Sequence, residues 1–189
     1  MNNYWIMRTD RRTDEIREFI WQELQQGRLR QGWAWKDEQS LTVIDSMANT
    51  DMTNEQKESW RGNRRMLQSH GDGIKPGDII LVPHVPHKGV WSIVRRLDAP
   101  YQFDRTNPFK DYGHTLAVEH LSTTRPVSFH EEAVSAHLRS TMRNPMRMWN
   151  IGRLSAEVER LISALQNNHS SENVYNRIPH FFNQVELAA

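Results

Sequence analysis

The chain contains no cysteine, which excludes disulfide bonds, thiolate metal sites and cysteine nucleophiles. It has no apolar run approaching the length of about 18 residues that a membrane-spanning helix requires. Its opening residues, MNNYWIMRTDRR, lack the apolar core of a signal peptide. Only 37% of the residues are hydrophobic and the mean hydropathy is −0.77, so the surface is expected to be very polar. These absences predict a cytoplasmic protein with no membrane partner.

Arginine carries most of the positive charge. The 189 residues include 19 arginines, 5 lysines and 7 tryptophans, although the net charge is only +1. Arginine binds phosphate through a two-pronged fork and stacks on flat rings, whereas lysine acts as a point charge. This composition is typical of a nucleic-acid-binding surface, and a GC-rich codon bias is the alternative explanation.

Apolar periodicity and capping residues predict the order of strands and helices. The clearest feature is a central β-hairpin with strands over Asp78–Val82 and Gly89–Leu97, entered through the tight turn Lys75-Pro76-Gly77-Asp78. The other predicted elements are a strand over Tyr4–Arg8, a helix from Thr13 to Gln26, a helix from Thr53 to Ser69, a strand over Thr115–Leu121, a helix from Ser128 to Pro145 and a helix over Leu154–Gln166. This order predicts an α+β fold with a barrel-like sheet rather than a doubly wound parallel sheet.

Two tryptophans in the segment RLRQGWAW form the first candidate site. In an extended segment Trp33 and Trp35 point to the same side and form two walls of a slot for a flat ring. Arg28 and Arg30 follow the same alternation, and cations beside aromatic faces favour a flipped base or a methylated amine. The alternative is that both indoles fill the base of the barrel.

A second candidate lies on the helix predicted from residue 53. At helical spacing Trp60, Asn63 and Arg64 share one face, where the asparagine amide can pair its donor and acceptor with a base edge. The alternative is a solvated helix face with Trp60 in the core.

The hairpin adds further aromatic and charged groups. Trp91 is either a pocket wall or a core plug, and Arg95 with Arg96 is expected to contact phosphate. His84 and His87 have a spacing that zinc ligands share, yet the turn offers no cysteine and no suitably spaced carboxylate. A polar turn is therefore favoured over a metal site.

Motifs of common enzymes are missing from the sequence, which has no convincing P-loop, HExxH, GxSxG or HNH-like cluster. Asp98 and Asp104 lie near the basic strand without an acidic-x-Lys partner. The sequence therefore predicts a binding module rather than an enzyme, with no cofactor and no metal. An enzyme acting on nucleotides is the alternative.

Four motifs, in order, resemble the EVE/YTH group of the PUA-like superfamily. They are the opening strand Tyr4-Trp5-Ile6-Met7, the Trp-x-Gly element with its following asparagine and arginine at Trp60–Arg64, the Lys-x-Gly-Asp turn at Lys75–Asp78 and the glycine-led apolar strand at Gly89–Leu97. The resemblance covers residues 4–121. The stretch Arg12–Asp51 is longer than a minimal EVE domain needs, and the two C-terminal helices are additional.

The resemblance implies a PUA/EVE-like small β-barrel flanked by helices over residues 1–125, with residues 126–189 as a C-terminal helical extension that packs on the core or leads to a linker. It implies a reader of DNA in which methylated or hydroxymethylated cytosine, or N6-methyladenine, flips into an aromatic pocket. Such a module serves a McrB-like modification-dependent restriction or antiviral defence system, with a nuclease or NTPase partner. The alternatives are an RNA-modification reader and a protein-interaction module built from the C-terminal helices and the IPHFF patch.

The expected site residues follow from the segments above. The base pocket is expected to consist of Trp33, Trp35, Trp60, Asn63 and Trp91, and the phosphate ligands are expected to be Arg28, Arg30, Arg64, Arg95 and Arg96.

Overall fold

The computed structural model describes residues 2–9, 13–121, 126–144 and 146–175, with side chains described up to residue 167. Within these ranges the chain is a mixed α+β fold whose sheet curls into a half-barrel flanked by helices. The strands are β1 Tyr4–Met7, β2 Arg28–Gln31, β3 Ile79–Pro83, β4 Val90–Arg96, β5 Gln102–Phe103, β6 His114–His120, β7 Val127–Ser128 and β8 Met148–Asn150. The helices are α1 Asp14–Gln25, α2 Leu41–Asp45, α3 Asn54–Asn63, α4 Ala136–Ser140 and α5 Ser155–Tyr175. The IPHFF patch and Pro145 lie outside the described residues.

The predicted hairpin is confirmed and lies at the centre of the sheet. The strand order is β2-β6-β4-β3-β1-β8, with β5 paired to β6 and β7 paired to β4. Strand β1 runs parallel to β3, whereas the β3–β4 pair and the remaining pairs are antiparallel. The hairpin therefore joins the N-terminal strand on one side to β6 on the other.

Alternating apolar side chains give the sheet a buried layer on each face. Ile80 and Val82 of β3 join the core that includes residues of α1, while Ile79 and Leu81 join the core covered by α5. Helix α5 buries an apolar stripe made of Val158, Leu161, Ile162 and Leu165, as its periodicity predicts. The sheet is thus covered by helices on both sides.

The region after residue 126 differs from the helical extension that the sequence predicts. Val127 is buried and pairs with Trp91 of β4, so this segment begins as a strand. Ser128 and Glu131 close a turn instead of a helix, because the Glu131 carboxylate accepts from the Ser128 amide at 2.9 Å while that residue remains in β7. The helix begins only at Ala136, where the Ser135 hydroxyl accepts from the Leu138 amide at 3.0 Å. Strand β8, which pairs with β1, was not predicted either.

A buried carboxylate fastens the start of the hairpin to β1. The Asp78 side chain accepts hydrogen bonds from the Asn3 amide at 2.7 Å, the Lys75 amide at 2.9 Å and the Trp5 indole N–H at 2.9 Å. The predicted turn at residues 75–78 is present, and the Gly77 amide donates to the carbonyl of Arg96 at 2.8 Å. One side chain therefore fixes the N-terminal strand, the turn and the indole of Trp5. Among the described residues no helix is long and apolar enough to cross a membrane.

Replacing Asp78 with alanine should destabilise the fold strongly. Three donors lose their acceptor, and a buried donor left unpaired costs about 1–3 kcal/mol, so we expect a loss of about 3–5 kcal/mol in the free energy of unfolding. Urea denaturation measures this loss. The exposed Asp98 provides the matched control, since Asp98→Ala should stay within about 0.5 kcal/mol of the parent. Equal losses in the two variants would contradict this account.

Candidate nucleic-acid interface

The segment that carries Trp33 and Trp35 leaves the sheet before it reaches them. Strand β2 ends at Gln31, and Trp33 adopts a positive φ of 67°, so the alternation of an extended segment does not apply. The Ala34 amide donates to the Asp111 carboxylate at 2.8 Å, which holds this bend in place. Trp33 is half-buried and Trp35 is 36% exposed. The predicted slot with two parallel walls is therefore wrong in its geometry.

Trp33 instead lies in a cluster made by Gly32, Trp33, Gly62, Asn63 and Arg147, here called the Trp33 cluster. The guanidinium carbon of Arg147 lies 3.2 Å from the centre of the indole. A Cβ at Gly62 would lie 2.7 Å from the ring, so α3 approaches the indole as closely as only glycine permits. Asn63 is fully buried and donates through Nδ2 to the Gly32 carbonyl at 2.9 Å. The structure thus brings Trp33 and Asn63 together and adds Arg147, which the sequence analysis missed.

The cluster is fastened to the ends of three strands. The Gln31 side chain, fully buried, donates to the Arg8 carbonyl at 2.8 Å, and the Arg8 amide donates to the Arg147 carbonyl at the same distance. These bonds link β2 to β1 and β1 to the residue just before β8. The Asn63 Oδ1 atom is buried and has no hydrogen-bond partner among the described residues. The cluster therefore contains an acceptor that no described residue uses.

Two of the predicted aromatic residues have other surroundings. Trp91 is fully buried in the core on the α5 side, where its indole N–H points to the Met142 sulfur at 3.1 Å. Its assignment to the base pocket is therefore wrong, and the alternative of a core plug is correct. Trp60 is half-buried against the opposite core, with its ring edge-on to His70 at 5.8 Å.

Two of the predicted phosphate ligands are internal ties. Arg30 is buried, and its guanidinium contacts the carboxylates of Glu23 and Asp104 at 2.5 and 2.9 Å. Arg96 is also buried and donates to the carbonyls of Ala117 and Ala99. Neither guanidinium is available to phosphate, because both groups are buried and bonded to acceptors within the protein.

The other three predicted cations are nearer to solvent but also engaged. Arg28 binds Glu23 through two nitrogens at 2.7 and 2.8 Å, and the hydrogen bond from Arg28 lowers the pKa of that carboxyl. Arg95 contacts Glu119 at 2.5 Å, and Arg64 donates to the carbonyl of Arg61 at 3.2 Å. Arg64, at the end of α3, is the predicted phosphate ligand that adjoins the Trp33 cluster in the chain.

A buried histidine supports the backbone of Trp33. The His114 Nε2 lies 2.9 Å from the Ser59 hydroxyl and 3.2 Å from the Trp33 carbonyl, and its Nδ1 lies 2.7 Å from the Tyr101 hydroxyl. Burial lowers the pKa of His114 to about 3, so the ring is neutral at pH 7. Both ring nitrogens are already engaged by protein groups, so the network positions the Trp33 segment.

The side chains that could bind a metal are scattered in the described part of the chain. No group of three or more His, Cys, Asp or Glu side chains converges there in a way that could hold an ion. His84 lies against the ring of Phe129 at 5.2 Å, and its Nδ1 accepts from the Gly89 amide at 3.3 Å, which closes the hairpin turn.

Comparison with known proteins places the chain in a family. A family model described as "Domain of unknown function (DUF8426)" matches residues 5–143. The chain belongs to this family. The DUF8426 match includes Trp33 and Asn63 and ends before Arg147 and β8. No curated protein matches the chain. The X-ray structure of Protein Atu2648 from Agrobacterium tumefaciens is similar over 84% of this chain and 93% of that chain, with 13% identity and a TM-score of 0.37.

The proton linkage of His114 predicts loss of stability in acid. Its pKa is depressed to about 3 in the folded chain and is about 6.5 in the unfolded chain, so below pH 6.5 the unfolded state binds more protons. This contribution should fall by up to about 1.4 kcal/mol per pH unit as pH decreases from 6.5 towards 3. Urea denaturation of the parent and of His114→Gln between pH 7 and 5 isolates the effect. Parallel pH profiles in the two proteins would refute it.

Replacing Gly62 with alanine should destabilise the protein, although alanine is normally preferred to glycine within a helix. Alanine in a helix interior normally stabilises by about 1 kcal/mol relative to glycine. Here the new methyl group collides with the Trp33 ring, and we expect a net loss of about 1–3 kcal/mol with a changed near-ultraviolet circular dichroism signal. Gly71→Ala is the control, since a Cβ at that position meets open space. A stabilising Gly62→Ala would show that the indole packs elsewhere.

Proposed function

We propose that this DUF8426 chain is a reader of modified bases in DNA, and that a base turned out of the duplex stacks on Trp33. The observation that carries the proposal is a stacking surface joined to an unused buried acceptor. Asn63 Oδ1 is without a partner among the described residues, while its Nδ2 is bonded to Gly32 beside the indole. A buried unpaired acceptor costs about 1–3 kcal/mol, and a ligand that donates to it recovers that cost.

Arg147 covers the stacking surface before the base arrives. A guanidinium is flat and stacks on an indole where a base would stack. Base stacking contributes about 1–3 kcal/mol, whereas turning a base out of the duplex costs a few kcal/mol. Because these terms nearly cancel, the displaced Arg147 contributes affinity by pairing with a nearby phosphate. Binding then weakens as the salt concentration rises.

The acceptor on Asn63 selects the class of base. Methylated and hydroxymethylated cytosine keep the N4 amino group, and N6-methyladenine keeps one N6 hydrogen, so each can donate to Oδ1. Thymine and uracil present a carbonyl oxygen at the equivalent edge, which would place two acceptors against each other. The acceptor therefore distinguishes bases that carry an amino group from thymine and uracil, and the three expected modifications belong to the amino-bearing class together with unmodified cytosine and adenine.

The proposal includes a PUA/EVE-like barrel as the finer description of the curled sheet. The resemblance of the Trp5, Trp60–Arg64 and Lys75–Asp78 motifs to the EVE/YTH group supports it. In this view the protein is a cytoplasmic recognition module without catalysis, and it acts with a nuclease or NTPase partner in a modification-dependent restriction system.

Binding to otherwise identical duplexes tests this function. Fluorescence anisotropy at one fixed salt concentration compares duplexes with unmodified cytosine and adenine, 5-methylcytosine, 5-hydroxymethylcytosine and N6-methyladenine. We expect at least about tenfold tighter binding to one modified duplex, equivalent to about 1.4 kcal/mol. Equal affinity for all of them would overturn the proposal, and tighter binding to RNA of the same sequence would replace DNA with RNA.

Variants of the two neighbouring tryptophans separate stacking from general contact. Trp33→Leu should weaken binding to the preferred duplex about 5- to 100-fold, the loss expected for one stacked base. Trp35→Leu is the matched control and should have a much smaller effect, because Trp35 lies outside the Trp33 cluster. Thermal unfolding verifies that both variants fold. Equal losses would show that binding does not depend specifically on stacking at Trp33.

A further inference from the structure

A concave pocket lies at the edge of the sheet, where β1 meets β8. This pocket has a volume of 310 Å³, at the lower end of the range of about 300–1,000 Å³ typical of small-molecule sites. It is bounded by β1, β8 and the segment that follows α3. Met146, which lines it, precedes Arg147 of the Trp33 cluster in the chain. The two sites are therefore adjacent, although they share no side chain.

The segment after α3 folds back tightly to form one wall. The Ile74 amide donates to the Arg65 carbonyl at 2.7 Å, which closes this segment into a loop. A Cβ at Gly73 would collide with the Leu67 carbonyl, so the loop requires glycine there. Arg65 and Lys75 stand at the two ends of the loop, and the closure brings both cations to the pocket.

Indole and thioether groups form the apolar part of the pocket. The Trp5 indole N–H already donates to Asp78, so the ring lines the pocket with no donor that needs a partner from a ligand. Trp149 also lines the pocket, and Met146 is 48% exposed at the rim. Methionine adapts to flat ligands because its side chain is unbranched and polarisable. This part of the pocket suits a flat apolar ring.

The polar part of the pocket favours an anion. Arg65 uses its Nε for Asp72 at 2.8 Å, and Lys75 donates one Nζ proton to the Gln68 carbonyl at 2.9 Å. Two cations and one carboxylate, Asp72, line the pocket, so its lining carries a net positive charge, and both cations retain further donors. The Asn150 Oδ1 accepts from the Gly152 amide at 2.7 Å, and the exposed Asn150 side chain lines the pocket. An amide donor thus lies beside the two cations.

We infer that this pocket binds a nucleoside monophosphate unit. The base rests on the Trp5 side with its edge towards Asn150, and the phosphate lies against Lys75 and Arg65. The unit is either a free mononucleotide or one nucleotide of a strand. This inference does not depend on base stacking at Trp33, because no residue of that cluster lines the pocket.

Calorimetric titration with dCMP, AMP, adenosine and inorganic phosphate tests the assignment. We expect both nucleotides to bind with a Kd of about 0.1 mM, and adenosine and phosphate to bind at least about tenfold more weakly. Phosphate that binds as tightly as the nucleotides would overturn the base contact. Adenosine that binds as tightly would overturn the phosphate contact.

A charge placed at the rim tests the location without disturbing the core. Met146→Glu should weaken nucleotide binding about fivefold to tenfold through like-charge repulsion, whereas the neutral Met146→Gln should stay within about twofold. Lys75→Met should also weaken binding, with Lys36→Met as its control, since Lys36 is exposed and pairs with Glu55 away from the pocket. Binding that is insensitive to Met146→Glu would overturn the location.

A single-stranded oligonucleotide distinguishes the two sources. If Met146→Glu weakens binding of both the mononucleotide and the oligonucleotide, the pocket is assigned to free nucleotides as well as strands. The pocket is assigned to strands alone if Met146→Glu weakens binding of the oligonucleotide while no mononucleotide binding is measurable at about 1 mM, a concentration about tenfold above the expected Kd. If neither ligand responds to Met146→Glu, the inference is wrong. Trp33→Leu, measured alongside, reports on the other site independently.

Discussion

The hydrogen bonds to the Asp78 carboxylate are the interaction on which both the sheet and the pocket depend. A buried carboxylate is tolerated only when donors replace the water that it loses, and hydrogen bonds to a charged group contribute about 1.5–3 kcal/mol each. Its three close donors come from Asn3, Lys75 and Trp5. All three residues also line the pocket between β1 and β8. The bonds that set the register of β1 against β3 therefore also fix this wall of the pocket. A ligand in the pocket would contact a preformed surface and would not have to order it.

Arginine serves two different purposes in this chain, which its abundance alone does not reveal. Arg30 satisfies two carboxylates and two backbone carbonyls within one buried region, a task that suits the five donors of a guanidinium. Arg96 does the same for carbonyls at the far end of the hairpin. Arg147 and Arg8 instead stack on the indoles of Trp33 and Trp149. Arg8 is buried and also donates to the Met142 carbonyl, whereas Arg147 is half-buried, so in the proposed function Arg147 is the arginine that a flat ligand displaces.

Local patterns predicted the elements whose stability is local. A short window of sequence is enough to predict the capped helix α1, the hairpin and the apolar stripe of α5. The failures have a common cause, since each depends on a distant partner. Strand β8 is three residues long and exists because β1 pairs with it. Val127 becomes a strand residue through pairing with Trp91, and that pairing outweighs the helix start that Ser128 and Glu131 otherwise favour. Trp33 and Asn63 were expected in one pocket and lie in one cluster, yet the cation that covers the indole lies 114 positions after Trp33 in the chain (147 against 33) and no local pattern indicates it.

The edge strand β8 links the two candidate sites physically. Arg147 directly precedes it and covers Trp33, whereas Trp149 and Asn150 belong to it and line the pocket. Short edge strands are held by one neighbour and are among the less stable parts of a sheet. Here β1 supplies that neighbour, and the Ile151 amide adds a bond to the Tyr4 carbonyl at 2.7 Å just before α5 begins. The two candidate sites therefore share one short strand as a common support, while the side chains that form them remain separate.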